Sequence, residues 1–133
     1  MAAMTLDLTM GPDFHFRWTA SGFLIVTPWR YDDGDAIVVY GDRQPDGRWC
    51  IHDSGDAALR LMFDGVDPDT AKIQTWLLEQ ILRVQWNEAL SQLECLDVAE
   101  PDQRGAVFRV AQAAAQLQAM TALRLSREDP SIC

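Results

Sequence analysis

The sequence predicts an α+β fold in which a four-stranded antiparallel meander is followed by helices that pack on one face of the sheet. Two observations favour it: turn-forming residues separate four short apolar runs, and apolar residues take helical spacing after Ser54. The strands are expected at about 13–20, 22–27, 35–41 and 48–52, and the helices at about 54–64, 68–84 and 103–125.

The first two strands differ in pattern. Phe14, Phe16 and Trp18 alternate with polar residues, which predicts a strand with one buried face. Residues 23–27 are apolar on both faces, which favours a central position in the sheet. Pro28 has no N–H to donate to a neighbouring strand, so we expect it to end this strand or to lie at a sheet edge.

The next two strands follow from turn chemistry. An Asp-Asp-Gly loop at 32–34 precedes residues 36–40, which are rich in β-branched side chains. Pro45 presets φ and Gly47 accepts a positive φ, so the Pro-Asp-Gly segment predicts a tight turn before residues 49–52. Short links of this kind favour antiparallel neighbours.

Helix boundaries are marked by cap residues. Asp53 and Ser54 are of types that cap helix N-termini, and Gly65 stands where a helix commonly ends. Pro68 suits the first turn of the second helix, where a missing N–H costs nothing. Residues 86–98 fit either a helix or a strand, because periodicity alone does not separate the two.

The last predicted helix, 103–125, is apolar around most of its circumference. Such a helix needs cover on more than one side, either from the sheet or from a second copy of the chain. The chain is therefore expected to be a monomer or a homodimer that associates through this helix.

Composition favours one folded domain over residues 1–133, with loose ends at 1–12 and 126–133. No apolar run is long enough to cross a membrane, and no signal peptide is visible. The three cysteines, Cys50, Cys95 and Cys133, have no metal-type spacing and are expected to be free thiols. These observations predict a cytoplasmic protein without a membrane partner.

Charge is the most uneven property of the chain. The net charge is −9, which argues against direct binding to nucleic acid. Ten aspartates against three arginines lie between residues 32 and 69, whereas residues 103–127 hold four arginines and no acid. Two interpretations remain: a solubilising surface, or a face for a protein with a basic nucleic-acid-binding surface.

Candidate catalytic residues have simpler structural explanations. His52, Asp53 and Ser54 are the residue types of a hydrolase triad, but a triad is assembled in space, and helix capping accounts better for the last two. Cys50 and His52 share a strand face and supply two metal ligands without a third. No phosphate-binding loop or dinucleotide motif is present, so no catalytic residue, metal ligand or cofactor is predicted.

The main alternative to a protein without a reaction centre is a metal site formed by aspartates. Asp32, Asp33, Asp35 and Asp53 would bind Mg²⁺ or Ca²⁺ if their carboxylates converged, although Asp-Gly clusters are ordinary turn formers. Trp18, Trp76 and Trp86 fit core positions, whereas Trp29 is expected to be partly exposed, with the composition of an interaction hot spot. The predicted interaction residues are Trp29, Arg30, Tyr31, Asp32, Asp33, Asp35 and Asp46.

The motifs TPWRYDDGDAIVVY and RWCIHDSGDAALRLMFDGVD resemble a bacterial and phage family of small proteins, the domain of unknown function numbered eighteen twenty-eight. The resemblance implies a pattern of Thr-Pro, an acidic loop, Asp before an apolar strand, and Asp-x-Gly at the start of a helix. These features fall on Thr27, Pro28, Asp35, Asp53 and Gly55. It spans residues 18–125 and departs at the front, where such proteins carry an N-terminal helix. The family brings no established activity, and its occurrence in phages and mobile elements implies a role in host–phage conflict.

The preferred hypothesis is a cytoplasmic, non-enzymatic module that binds another protein, such as a phage or mobile-element inhibitor of a host defence protein. The first alternative is a metal-dependent hydrolase that uses the aspartate cluster. The second is a structural protein that self-associates through residues 103–125.

Overall fold

The computed structural model describes residues 13–65, 79 and 82–128, with side chains described through residue 119. This part of the chain forms an α+β fold, as the sequence predicts. The strands are β1 His15–Trp18, β2 Gly22–Arg30, β3 Ala36–Arg43, β4 Trp49–His52, β5 Gln85–Asn87 and β6 Gln92–Val98. The helices are α1 Asp56–Phe63 and α2 Gln103–Glu128, the latter preceded by a 3-10 turn, Glu100–Asp102.

All strand pairs of the sheet are antiparallel, and the order is β1-β2-β3-β4-β6-β5. The first four strands form the predicted meander. Its β3–β4 turn closes as expected: Gly47 has a φ of 86°, and the Asp46 carboxylate accepts the Arg48 N–H at 3.0 Å. Local turn chemistry therefore sets this hairpin.

Strand β2 continues past Pro28 to Arg30, so the expectation that Pro28 ends it is wrong. The β2–β3 register shifts between Val26 and Arg30. Pro28 has no N–H to donate, and the Thr27 hydroxyl donates to the Ile37 carbonyl at 2.7 Å instead. A bulge with a side-chain donor thus lets the strand accommodate a proline.

Strand β1 is short and exposed, which corrects the predicted buried face. Phe16 and Trp18 are 36% and 41% exposed, so Trp18 is not a core residue. The reason is position: β1 is an edge strand, while α2 packs mainly on β3, β4 and β6. Period-two alternation identified the strand but not whether a helix covers it.

The core lies between α2 and one face of the sheet. Strand β2 lies inside the sheet, between β1 and β3, but it buries only alternate residues, because Leu24 and Val26 on its other face are partly buried. Gly41 leaves space for the Phe23 ring, which a Cβ at that position would meet. The largest fully buried apolar side chains are Phe23, Ile25, Ile37, Val39, Ile51, Leu61, Val84, Leu93, Val107 and Leu117.

The ambiguous segment 86–98 is a β-hairpin. Strand β6 pairs with both β4 and β5, and Ser91 in the connecting turn has a φ of 50°. The open edge of β4 favours the strand because its backbone groups need partners. Helix α2 extends to Glu128, beyond the predicted end at 125. The helix predicted at about 68–84 lies mostly outside the described residues.

Within the described part of the chain, no helix combines the length and the apolar character that a membrane crossing requires.

Candidate functional site

The predicted interaction residues fall at two ends of the sheet. Trp29 and Arg30 end β2, and residues 31–35 form the β2–β3 loop that we call the acidic loop. Asp46 lies in the β3–β4 turn, at the opposite end of β3. The structure therefore groups most of these residues but leaves Asp46 apart from them.

Trp29 forms one wall of an apolar groove of about 440 Å³, which we call the Trp29–Phe108 groove. The Trp29 side chain is 39% exposed. Its ring lies 5.5 Å from those of Phe108 and Phe14, in edge-to-face contacts that hold it in place. The described residues that line it are Trp29, Arg30, Phe108, Ala111, Gln112 and Ala115.

The second wall of the groove is a stripe of α2. Phe108, Gln112 and Ala115 are spaced by four and three residues, so they share one helix face. This stripe is exposed or partly exposed, while Val107 and Val110 beside it are fully buried. Sequence reasoning did not assign these residues to a site; the available signal was that α2 is too apolar to be covered from one side.

The acidic loop is fixed at both ends. The Tyr31 N–H donates to the Asp35 carbonyl at 2.9 Å, and the Arg30 guanidinium donates to the Gly34 carbonyl at 2.8 Å. The Asp32 N–H donates to the Gln118 side chain at 3.0 Å. Because Gln118 follows Ala115 by about one helical turn, this bond places the acidic loop at the end of the groove.

Arg60 of α1 holds the carboxylates of the acidic loop. Its guanidinium lies 3.2 Å from Asp33, 2.8 Å from Asp35 and 2.5 Å from Asp56. It also lies 4.0 Å from the centre of the Tyr31 ring. The aspartates of the predicted cluster therefore converge in part, but on the guanidinium of a protein side chain.

Tyr31 is buried, so its assignment as an exposed interaction residue is wrong. Its side chain is only 3% exposed, because the ring lies beneath Arg60. The hydroxyl has no hydrogen-bond partner among the described residues. Burial raises the pKa of Tyr31 well above its ordinary value. Tyr31 supports the acidic loop from inside the protein.

Asp53 is fully buried and links α1 to the sheet. Its carboxylate accepts the N–H groups of Gly55 at 3.0 Å, Ala57 at 3.1 Å and Leu93 at 3.0 Å. Burial raises the pKa of Asp53, and the three backbone donors oppose that rise. With all three bonds directed at backbone groups, Asp53 acts within the fold rather than in a carboxylate cluster with Asp33.

Of the other two residues predicted to cap α1, Gly65 does so and Ser54 does not. Ser54 is exposed with a φ of 58°, and the side chain that caps α1 is that of Asp53, which corrects the assignment of Ser54. Gly65, with a φ of 78°, donates its N–H to the Met62 carbonyl at 3.0 Å after the last turn of α1. This is the position where a left-handed residue closes a helix.

His52 forms hydrogen bonds that do not build a triad. Its Nδ1 accepts the Ser54 N–H at 2.9 Å, so Nε2 carries the proton and donates to the Asp42 carboxylate at 2.7 Å. The Ser21 hydroxyl donates to the other oxygen of Asp42 at 2.8 Å. Across residues 13–65, 79 and 82–119, no group of three or more His, Cys, Asp or Glu side chains is placed to hold a metal ion.

Cys50 lies on the same sheet face as His52, and its thiol is expected to react in a pH-dependent way. Burial, with Glu94 and Asp42 nearby, raises the pKa of its thiol to about 12. Iodoacetamide reacts with the thiolate, so alkylation of native Cys50 is expected to keep rising about tenfold per pH unit between pH 8 and 10. In urea the rate should level off near pH 9, as for an ordinary thiol. Mass spectrometry of the Cys50 peptide measures both rates.

An alkylation rate of the native protein that levels off at the same pH as that of the unfolded protein would contradict the raised pKa of Cys50.

The raised pKa of Cys50 also makes the stability of the protein depend on pH. Because the folded thiol has the higher pKa, its stabilising contribution is present below about pH 9 and is lost as the pH rises towards 12.

The comparison with protein families concerns the same part of the chain. A family model described as "Domain of unknown function DUF1828" matches residues 27–117. No curated protein and no solved structure matches the chain. The matched residues include both walls of the Trp29–Phe108 groove, the acidic loop and Arg60. Since the match covers more than half of its length, the chain belongs to the family of the domain of unknown function DUF1828.

Proposed function

We propose that this protein is a non-enzymatic module that binds another protein through the Trp29–Phe108 groove. The observation that carries the proposal is the position of Trp29, an exposed aromatic residue in the wall of an apolar groove that ends at exposed carboxylates. Tryptophan residues in such positions dominate the binding energy of many protein interfaces.

The groove suits one or two apolar side chains. Its volume of about 440 Å³ lies in the range of pockets that bind ligands of moderate size. The rings of Phe14 and Phe108 hold Trp29 from two sides, so binding would cost little side-chain ordering. These features support an apolar anchor residue as the occupant.

The acidic loop supports a basic partner. The carboxylates of Asp33 and Asp35 are 50% and 71% exposed, and the chain carries a net charge of −9. Complementary charge speeds the encounter and sets the orientation of a partner. We therefore propose a segment with an apolar anchor flanked by Lys and Arg, as on a protein with a basic nucleic-acid-binding surface. An inhibitor that a phage or mobile element directs at a host defence protein is one such role.

The hydrolase alternative has less support from the geometry. Asp33 and Asp35 pair with Arg60, and the oxygens of Asp53 accept three backbone donors. A metal ion would have to displace the guanidinium from its carboxylates, which costs those ion pairs. The binding function requires no such rearrangement.

The test is selection of displayed peptides on the wild-type protein, followed by fluorescence anisotropy with the peptides recovered. We expect peptides with an apolar residue flanked by Lys or Arg, and at least about tenfold weaker binding by Trp29→Ala. Trp18→Ala is the matched control, because Trp18 is 41% exposed but lies on β1, outside the groove. Circular dichroism checks that both variants fold.

Three results would overturn the proposal. The first is the recovery of no binding peptide, and the second is equal binding by wild type and Trp29→Ala. The third is a dimer in light scattering that Trp29→Ala dissociates, which would assign the groove to a second copy of the chain.

A further inference from the structure

A second cavity, of about 560 Å³, lies between β6 and the start of α2, and no described residue lines both this cavity and the Trp29–Phe108 groove. The described part of its lining combines two arginines and two aspartates with neutral polar and apolar residues. The residues that bear on its chemistry are Arg83, Cys95, Leu96, Asp97, Gly105 and Arg109.

Arg109 is partly buried and faces this cavity with hydrogen-bonding capacity to spare. A Cβ at Gly105 would lie 3.4 Å from its Nη1, so the guanidinium lies along the first turns of α2. The Arg109 guanidinium lies near the Cys95 thiol, but its Nε is buried with no hydrogen-bond partner among the described residues. An unpaired buried donor costs about 1–3 kcal/mol, so native proteins seldom retain one without a ligand or water.

Arg83 is a second arginine in the lining of the same cavity, where its backbone carbonyl accepts the Cys95 thiol at 3.7 Å. Among the described residues, neither Arg83 nor Arg109 forms an ion pair with a carboxylate, although the chain holds twenty acids and eleven bases. Asp97 and Asp102 also line the cavity, but the Asp97 carboxylate accepts the Gln44 amide at 2.9 Å and neither aspartate forms an ion pair with the two arginines. Two arginines without carboxylate partners in one cavity are the arrangement that proteins use to bind oxyanions.

We propose that this cavity binds a small organic anion through Arg83 and Arg109. The ligand class is a molecule with a phosphate or carboxylate head, whose body contacts the apolar part of the lining at Leu96. The volume admits a ligand of nucleotide size. This site is independent of the proposed binding of a partner protein.

The experiment is a ¹H–¹⁵N NMR titration of the full chain at low ionic strength, with AMP and citrate as the phosphate and carboxylate probes. We expect saturating shifts of the Arg109 Nε–H and the Gly105 amide signals in the millimolar range or below. Arg109→Gln and Arg83→Gln should each weaken binding at least about tenfold, as expected for loss of a charge-assisted pair. Arg17→Gln is the matched control, because it removes the same charge from exposed β1.

The two probes separate the head groups, since a site for phosphate responds more strongly to AMP and a site for carboxylate to citrate. Shifts that fail to saturate with either probe would overturn the proposal. An equal loss of binding in Arg17→Gln would also overturn it, because general charge attraction would then explain the shifts. If Arg109→Gln does not fold, Arg83→Gln at the exposed rim decides the result.

Discussion

Asp53→Ala is expected to lower the free energy of unfolding by about 4 kcal/mol. The substitution removes the acceptor of three N–H groups, those of Gly55, Ala57 and Leu93. Each buried donor left without a partner costs about 1–3 kcal/mol. Urea unfolding followed by circular dichroism measures the loss.

Asp32→Ala is the control, because it removes the same charge from an exposed side chain and should change stability by less than about 0.5 kcal/mol. A loss below about 1 kcal/mol for Asp53→Ala would show that its backbone hydrogen bonds contribute little.

Asp53→Asn separates the shape of the side chain from its charge. The amide keeps one oxygen acceptor but turns an N–H towards backbone donors, so an intermediate loss of about 2 kcal/mol is expected. Burial raises the pKa of Asp53 in the folded state, so protonation favours folding as the pH falls. The stability difference between wild type and Asp53→Asn should therefore grow as the pH falls through that raised pKa. A constant difference would contradict the assigned direction.

Arg60→Ala is expected to lower the free energy of unfolding by about 3 kcal/mol. The substitution removes the cation between Asp33, Asp35 and Asp56 and uncovers the Tyr31 ring. Half-exposed ion pairs contribute less than about 1 kcal/mol each, and the cation–π contact adds about 1–2 kcal/mol. Thermal unfolding at low and high salt measures the loss, which should shrink as salt screens the remaining carboxylates.

A divalent cation provides the second arm of this experiment. Without the guanidinium, the three carboxylates present the oxygen ligands that Ca²⁺ prefers. We expect Ca²⁺ to raise the melting temperature of Arg60→Ala while leaving wild type unchanged. Equal stabilisation of both proteins would mean that Arg60 does not occupy the place of a cation.

Features set by neighbouring residues could be predicted from the sequence. The β3–β4 turn depends on Pro45, Asp46 and Gly47, and the start of α1 depends on the carboxylate of Asp53 a few residues earlier. In both cases the residues that form the hydrogen bonds are close in the chain, so residue type and order suffice.

Features set by distant partners could not be predicted. Residues 86–98 form strands because β4 offers an open edge, which periodicity does not report. Tyr31 is buried because Arg60 of α1 covers its ring. Trp18 is exposed because its own strand, β1, lies at the edge of the sheet. A side-chain pattern gives the faces of an element but not the neighbours that cover them.

The same reasoning applies to the candidate site. The residues around Trp29 in the sequence indicate an interaction site, but the opposite wall of the groove is formed by Phe108, which lies on a helix far along the chain. Asp35 meets Arg60 across 25 residues, and Asp32 meets Gln118 across 86. Arg83 and Arg109 carry no motif that links them, so their shared cavity emerges only from the packing of β6 against α2.

The strand order has a consequence for synthesis on the ribosome. Strand β4 ends at His52, but its outer neighbour, β6, is completed only at Val98. A nascent chain between these two points carries four strands of which the last has a bare flank of backbone amides and carbonyls. Such a flank recruits strands from other molecules. Premature termination in this interval would therefore yield an aggregation-prone polypeptide, whereas in a chain released after Val98 strand β6 pairs with this flank of β4.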